Sequence, residues 1–359
     1  MKKILKISII LLLFSCKERV NNQQQTKVTS FEKVVDLKGE TILKGNFSDL
    51  IGINVIDTLL MFKKISKETV YEIYNINSLK YLGDLGVRGD KPNAWLHPVY
   101  SGQYSKSEKD ISLWVNDGIK GQMSLVNITE VLKKKDPTPI LKKIINVHPK
   151  AYLQQHALFI NDSVLIGDSG YTDPKRTRVK SFNFNSNEII NSSGLFPEVK
   201  NRNKLNSTDL FYLYLNNIKL KNNYIVSAMS SLDRIDIFDL DLNLTKTIIG
   251  KDSPEFLDEK TLIKDDDNTG GTFIYNKEFF LSEKYIFTLY INSLESDFYE
   301  KSSPVEIRVY DWNGNGKFKL KIPDHLSSFS IDLKNKWIYG LDKLNEKILR
   351  YNINNFLNE

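Results

Sequence analysis

Ile235-Asp236-Ile237-Phe238-Asp239-Leu240 is the clearest copy of a short phrase that this 359-residue chain carries six times. The other copies are Tyr71–Ile76, Met123–Ile128, Val179–Phe184, Ile307–Trp312 and Ile348–Ile353. Each alternates as a β-strand does, then ends on a large apolar residue, an Asn or Asp, and another apolar residue. The Asn or Asp positions are Asn75, Asn127, Asn183, Asp239, Asp311 and Asn352. They lie roughly forty to seventy residues apart, the interval of a four-stranded unit with variable loops.

Reading outward from each copy finds further apolar strands. The first unit has Ile51–Ile56, Leu59–Phe62, Tyr71–Ile76 and Tyr81–Val87, and the second has Ile111–Val115, Met123–Ile128 and Ile140–Val147. The third has Ala157–Ile160, Val164–Ile166, Val179–Phe184 and Glu188–Asn191, and the fourth has Leu213–Leu220, Tyr224–Met229, Ile235–Leu240 and Leu244–Ile249. The fifth has Glu278–Leu281, Tyr285–Ile291, Glu306–Trp312 and Lys317–Ile322. Four strands per unit is the count of a propeller blade, so the pattern predicts an all-β, six-bladed β-propeller. The sixth unit has only Phe329–Leu333, Trp337–Leu341 and Ile348–Ile353 before the chain stops at Glu359. Val34–Leu37 with Thr41–Leu43 has no blade of its own and is expected to pair with Ile348–Ile353, closing the ring and covering an exposed strand edge. Helical periodicity is weak, with a short turn expected at Ile128–Lys135.

The recurring Asn and Asp side chains are expected to accept hydrogen bonds from the backbone two residues on, closing a turn. The aromatics before them, Tyr74, Phe182, Phe238, Tyr310 and Tyr351, are expected to pack between blades.

The N-terminus reads differently. Lys2 and Lys3 precede an apolar run from Ile7 to Phe14, too short to span a bilayer but of the length of an export-signal core. The run ends at Leu13-Phe14-Ser15-Cys16, which resembles a bacterial lipoprotein signal. That resemblance implies cleavage after residue 15 and acylation of Cys16, the chain's one cysteine. Residues 1–15 are then a signal, residues 16–30 a polar tether, and residues 31–359 a single propeller domain. Lys17-Glu18 after the cysteine, where Asp would signal inner-membrane retention, favours the outer membrane; periplasmic and surface sides stay open. More than one acyl chain makes such anchoring stable. Acylation also leaves no thiol for a disulfide.

The net charge of +6 includes Lys2, Lys3 and Lys6, so the remainder carries only +3. This balance gives no basis for nucleic-acid binding. The six units, the Ser15-Cys16 junction and the segment Leu85-Gly86-Val87-Arg88-Gly89-Asp90-Lys91-Pro92 together resemble the TolB-like six-bladed propeller lipoproteins of Gram-negative bacteria. The resemblance implies a fold and a location, and it carries no activity.

In a propeller, the blade-to-blade connectors and the loops between second and third strands crowd one face around the central channel. That face is expected to hold the ligand-binding funnel, with Arg88, Trp95, His97, Asp117, Gln154, His156, Asp168, Arg234 and Tyr275 as candidate residues. The mixture of rings, amides and charges suits a glycan, a peptide or an envelope protein, and no cofactor is expected. The leading expectation is a lipid-anchored, non-catalytic binding or assembly module. The alternative is a metal-dependent, lactonase-like hydrolase or a glycan lyase, for which His97, His156, Asp117 and Asp168 are the available acids, bases or ligands. His148 joins the histidines of the same loops. Asp265-Asp266-Asp267-Asn268-Thr269-Gly270 begins like a calcium loop but has Asn276 where a bidentate Glu is needed.

Overall fold

The computed structural model describes residues 24–65, 68–147, 156–168, 177–196, 199–200, 216–253, 257–258 and 273–357. It opens with three short strands, β1 (Gln24–Val28), β2 (Lys33–Asp36) and β3 (Glu40–Lys44). Blade one is β4 (Leu50–Ile56), β5 (Leu59–Lys64), β6 (Thr69–Asn75) and β7 (Tyr81–Val87). Blade two is β8 (Pro98–Lys106), β9 (Ile111–Asp117), β10 (Gln122–Asn127) and β11 (Leu141–Asn146), with helix α1 (Ile128–Lys134) before β11. Blade three is β12 (Ala157–Phe159), β13 (Val164–Asp168), β14 (Thr177–Asn183) and β15 (Glu188–Leu195). The pair β16 (Val199–Lys200) and β21 (Leu257–Asp258) flanks blade four, which is β17 (Asn216–Lys221), β18 (Tyr224–Met229), β19 (Arg234–Phe238) and β20 (Leu244–Gly250). Blade five is β22 (Phe273–Leu281), β23 (Tyr285–Leu294), β24 (Val305–Asp311) and β25 (Gly316–Ile322), with helix α2 (Glu295–Glu300) before β24. Blade six is β26 (Ser328–Asp332), β27 (Trp337–Asp342) and β28 (Lys347–Asn352). Each blade is an antiparallel meander, and the whole is a six-bladed β-propeller.

The N-terminal strands depart from the expected closure. Only β3 joins β28, antiparallel, with Leu43 opposite Ile348. The Val34 segment instead forms β2, which adds in parallel to β25 as the fifth strand of blade five, with Val34 opposite Lys319. Within the expected tether, Gln24–Val28 forms β1, a parallel fifth strand on β20 of blade four. The leading segment therefore steps along the outer edges of blades four, five and six in turn. Each step covers an otherwise open edge. The three-strand reading of blade two also missed β8, whose sequence Pro98-Val-Tyr-Ser-Gly-Gln-Tyr-Ser-Lys lacks an apolar run.

The repeated phrase is the third strand of every blade, and its Asn or Asp closes the following turn. Asn75 Oδ1 accepts from the Asn77 and Ser78 N–H groups, and Asn183 Oδ1 from those of Asn185 and Ser186. Asp239 and Asp311 accept from Asn243 and Asn315, Asn352 accepts from Asn354, and Asn127 caps α1 by accepting from Glu130. In five blades the ladder to the fourth strand shifts register immediately before the residue preceding this Asn or Asp: at Tyr74, Val126, Phe182, Phe238 and Tyr310. Such a bulge increases strand twist, here toward each blade's outer edge.

The core lies between blades. Phe182 packs with Met123 and Ile145 of blade two, Phe238 with Leu158 and Val179 of blade three, and Tyr310 with Val226 and Ile237 of blade four. Tyr74 packs against the blade six–blade one cluster and Tyr351 lies in the blade five–blade six cluster. Burying one such side chain stabilises the fold by about 1.5–3 kcal/mol. Polar ties supplement this packing. Asp236, wholly buried, is bonded by Arg178 from blade three, by Arg234, and by Thr247 at 2.6 Å.

Candidate functional site

Four of the six junctions between innermost strands are fastened by side chains that reach across to a neighbour's backbone. Gln103 of β8 donates to the Phe159 carbonyl and accepts from the Phe159 N–H, both at 2.8 Å. Asn217 of β17 donates to the Lys277 carbonyl of β22. Glu278 of β22 accepts from Ser328 Oγ at 2.7 Å and from the Phe329 N–H at 2.9 Å, and Ser328 and Ser330 in turn accept from the Ile53 and Val55 N–H groups of β4. These bonds satisfy edge groups that would otherwise stand open in the channel.

At one end of that ring lies a cavity of about 480 Å³ to which every blade contributes. Blade one supplies Asn54 and Asp57, blade two Tyr100 and Tyr104, blade three Leu158, blade four Lys219 and Lys221, blade five Phe280, and blade six Ser330 and Lys334. Asp57 and Lys334 lie in turns between first and second strands, so the cavity opens on the face opposite the expected funnel. Its volume falls in the range of small-molecule sites, roughly 300–1,000 Å³.

Most of the predicted funnel residues hold the framework. Trp95 is only 3% exposed and its ring packs edge-on to Tyr71 and against Gly86. Arg88 donates to the Leu96 and Lys64 carbonyls, at 3.1 and 2.8 Å, tying down the connector into blade two. Asp117, buried, accepts from the N–H groups of Leu96 at 2.6 Å and His97 at 3.2 Å. Asp168 does the same in blade three, accepting from the His156 N–H at 2.7 Å. Both aspartates end a second strand and catch the chain as it enters the first strand of the same blade. Arg234 is committed to Asp236. Tyr275 is buried among Phe273 and Tyr290, and burial pushes its hydroxyl up to about 12. Gln154, Cys16, His148 and the Asp265–Thr269 segment lie outside the described residues.

The histidines are brought together with lysines that sequence reasoning had passed over. His97, solvent-exposed, and His156, half-buried, both lie in the field of Lys63, and His156 also in that of Lys219. Burial, with these two cations, holds the His156 imidazole down to about 3, so it is neutral at physiological pH. Burial likewise lowers Lys63, to about 8, with the Arg88 guanidinium adding to the effect. Lys219 is lowered by burial and partly restored by Glu278. Among the described residues, no three His, Cys, Asp or Glu side chains converge as a metal site. The two aspartates that a hydrolase would call on already accept backbone N–H groups.

Comparison with known proteins bears on this geometry. A family model described as TolB-like 6-blade propeller-like matches residues 30–334. No curated protein matches the chain. The crystal structure of a member of the DUF4221 family from Bacteroides vulgatus is similar at 12% identity, with 88% of this chain and 95% of that one covered and a TM-score of 0.53. A Bacteroides fragilis protein described only as a candidate exported protein is similar at 13% identity, with 91% and 98% covered and a TM-score of 0.49. At such identity the first likeness concerns the fold alone.

Proposed function

Starting from the chain's membership of the TolB-like six-bladed propeller family, we propose that it is a non-catalytic binding module that takes a polar small ligand, a sugar or a peptide end, into the mouth of its channel. The cavity built by all six blades carries this reading. It sets the rings of Tyr100 and Tyr104 beside the amide of Asn54 and the ammonium of Lys219, the apolar lining with a few placed polar groups that ligand sites use. The module is held to the cell envelope, and most simply to the outer membrane, by lipid on Cys16. Support comes from the Lys2–Cys16 sequence; no helix among the described residues is long and apolar enough to cross a membrane. Binding is tested by a thermal-shift screen of saccharides and short peptides on the full chain carrying Cys16→Ser. A ligand at a hundred times its dissociation constant adds about 2.7 kcal/mol of stability, and Tyr100→Ala should abolish the shift. A screen in which no sugar or peptide raises the midpoint would overturn the reading. Anchoring is tested separately by labelled palmitate, whose incorporation Cys16→Ser should eliminate.

A further inference from the structure

Lys219 is a half-buried ammonium group of an innermost strand, without an ion pair among the described residues. Lys219 comes from the innermost strand of blade four and lines the cavity, its Nζ 5.3 Å from the Phe279 ring centroid. The carboxylate in its field, Glu278, is committed to Ser328 and Phe329 on blade six. Lys63 comes from the end of β5, where Arg88 repels it rather than pairing with it.

His156 lies in the field of both lysines, but of the three only Lys219 lines the cavity. His156 stands just before β12, two positions ahead of cavity-lining Leu158. Its Nδ1 is buried without a hydrogen-bond partner among the described residues. A cation without an ion pair in a partly desolvated cavity wall is costly, and sites where such a cost is kept are candidates for ligand binding.

We propose that the cavity is an organic-anion site, in which Lys219 neutralises the carboxylate or phosphate of a small ligand seated there. The inference rests on the binding-module reading and narrows its ligand class. The rings of Tyr100 and Tyr104 then meet the uncharged body of the ligand, and Lys219 its charged end.

The test is calorimetric titration of the full chain carrying Cys16→Ser with glucuronate, glucose 6-phosphate and glucose. At least one charged sugar should bind tenfold or more tightly than glucose, and which one does distinguishes carboxylate from phosphate. Lys219→Met should remove that tenfold advantage while leaving the melting midpoint near that of the parent. Whichever of glucuronate and glucose 6-phosphate binds more tightly should slow acetylation of Lys219 and leave exposed Lys109 unaffected. Equal affinity for glucose and both charged sugars would overturn the anion inference and leave the binding module standing. An unchanged charge preference in Lys219→Met, or no slowing of Lys219 acetylation, would also overturn it. Binding of none of the three sugars would overturn it and count against the cavity as a site.

Discussion

Arg308 Nη1 of blade five donates to Asp233 Oδ2 of blade four at 2.9 Å, and both side chains are almost wholly withdrawn from solvent. The guanidinium also reaches Asp252 at 3.3 Å and Glu306 at 3.2 Å and lies over the Tyr290 ring. The Asp233 carboxylate occupies the space that a Cβ on Gly250 would need. Burial raises the pKa of Asp233, and the Arg308 guanidinium opposes that rise.

Removing one partner of such a pair leaves the other buried and uncompensated, at about 3–5 kcal/mol. Arg308→Met should therefore lower the urea midpoint strongly. Adding Asp233→Leu should restore part of the loss, and a purely additive double variant would show that the pair is not coupled.

Gly86 sits at φ +88°, and a Cβ there would overlap the Trp95 ring. Gly86→Ala should destabilise the fold through both strain and overlap. Trp95→Ala should cost about 3–5 kcal/mol by opening a cavity in the blade one–blade two core. Loss of the melting midpoint in both, with ligand affinity retained in whatever folds, is the outcome expected of framework residues.

Truncation separates the three leading strands. A chain without residues 1–30 loses β1 and the burial of Val28, worth about 1.5–3 kcal/mol, and should still give a native circular dichroism spectrum. Removal through Gly45 strips β3 from β28 and opens the edge of blade six. Size-exclusion chromatography of that chain should show aggregate.

His156 is held down to about 3 in the folded state against an ordinary value near 6.5. Between those values the unfolded chain binds more protons than the folded one, so this residue's contribution is intact above pH 6.5 and declines as pH falls toward 3. The slope is at most about 1.4 kcal/mol per pH unit. His156→Gln should flatten the acid limb of a midpoint-against-pH curve, and an unchanged limb would show that the ring is charged without penalty.

Much of this architecture could be read from the chain because the third strand repeats with its turn cap in register. Asn75 and Asp311 announce the same local bond in sequences that otherwise differ. The leading strands were misread for a physical reason. Gln24-Gln25-Thr26-Lys27-Val28 buries only Val28 on an outer edge, so its composition is that of a tether while its backbone pairs. The roles of Asp117 and Asp168 were hidden because their acceptors catch N–H groups 12 to 21 residues back, a contact set by the return path of the chain. The cavity left no motif at all. Asn54, Tyr100, Lys219 and Ser330 meet only because six inner strands converge on one axis.

The leading strands also impose an order of events on the chain. Thr26 is made more than two hundred positions before its partner Ile248, and Glu40 must wait for Arg350. A growing chain can stack its early blades, but their ring stays open until the final strand arrives. Such long-range pairing is slow to form. The propeller thus behaves as a clasp whose hook is manufactured before its eye, and a chain interrupted before blade six leaves β3 without the β28 edge on which it fastens.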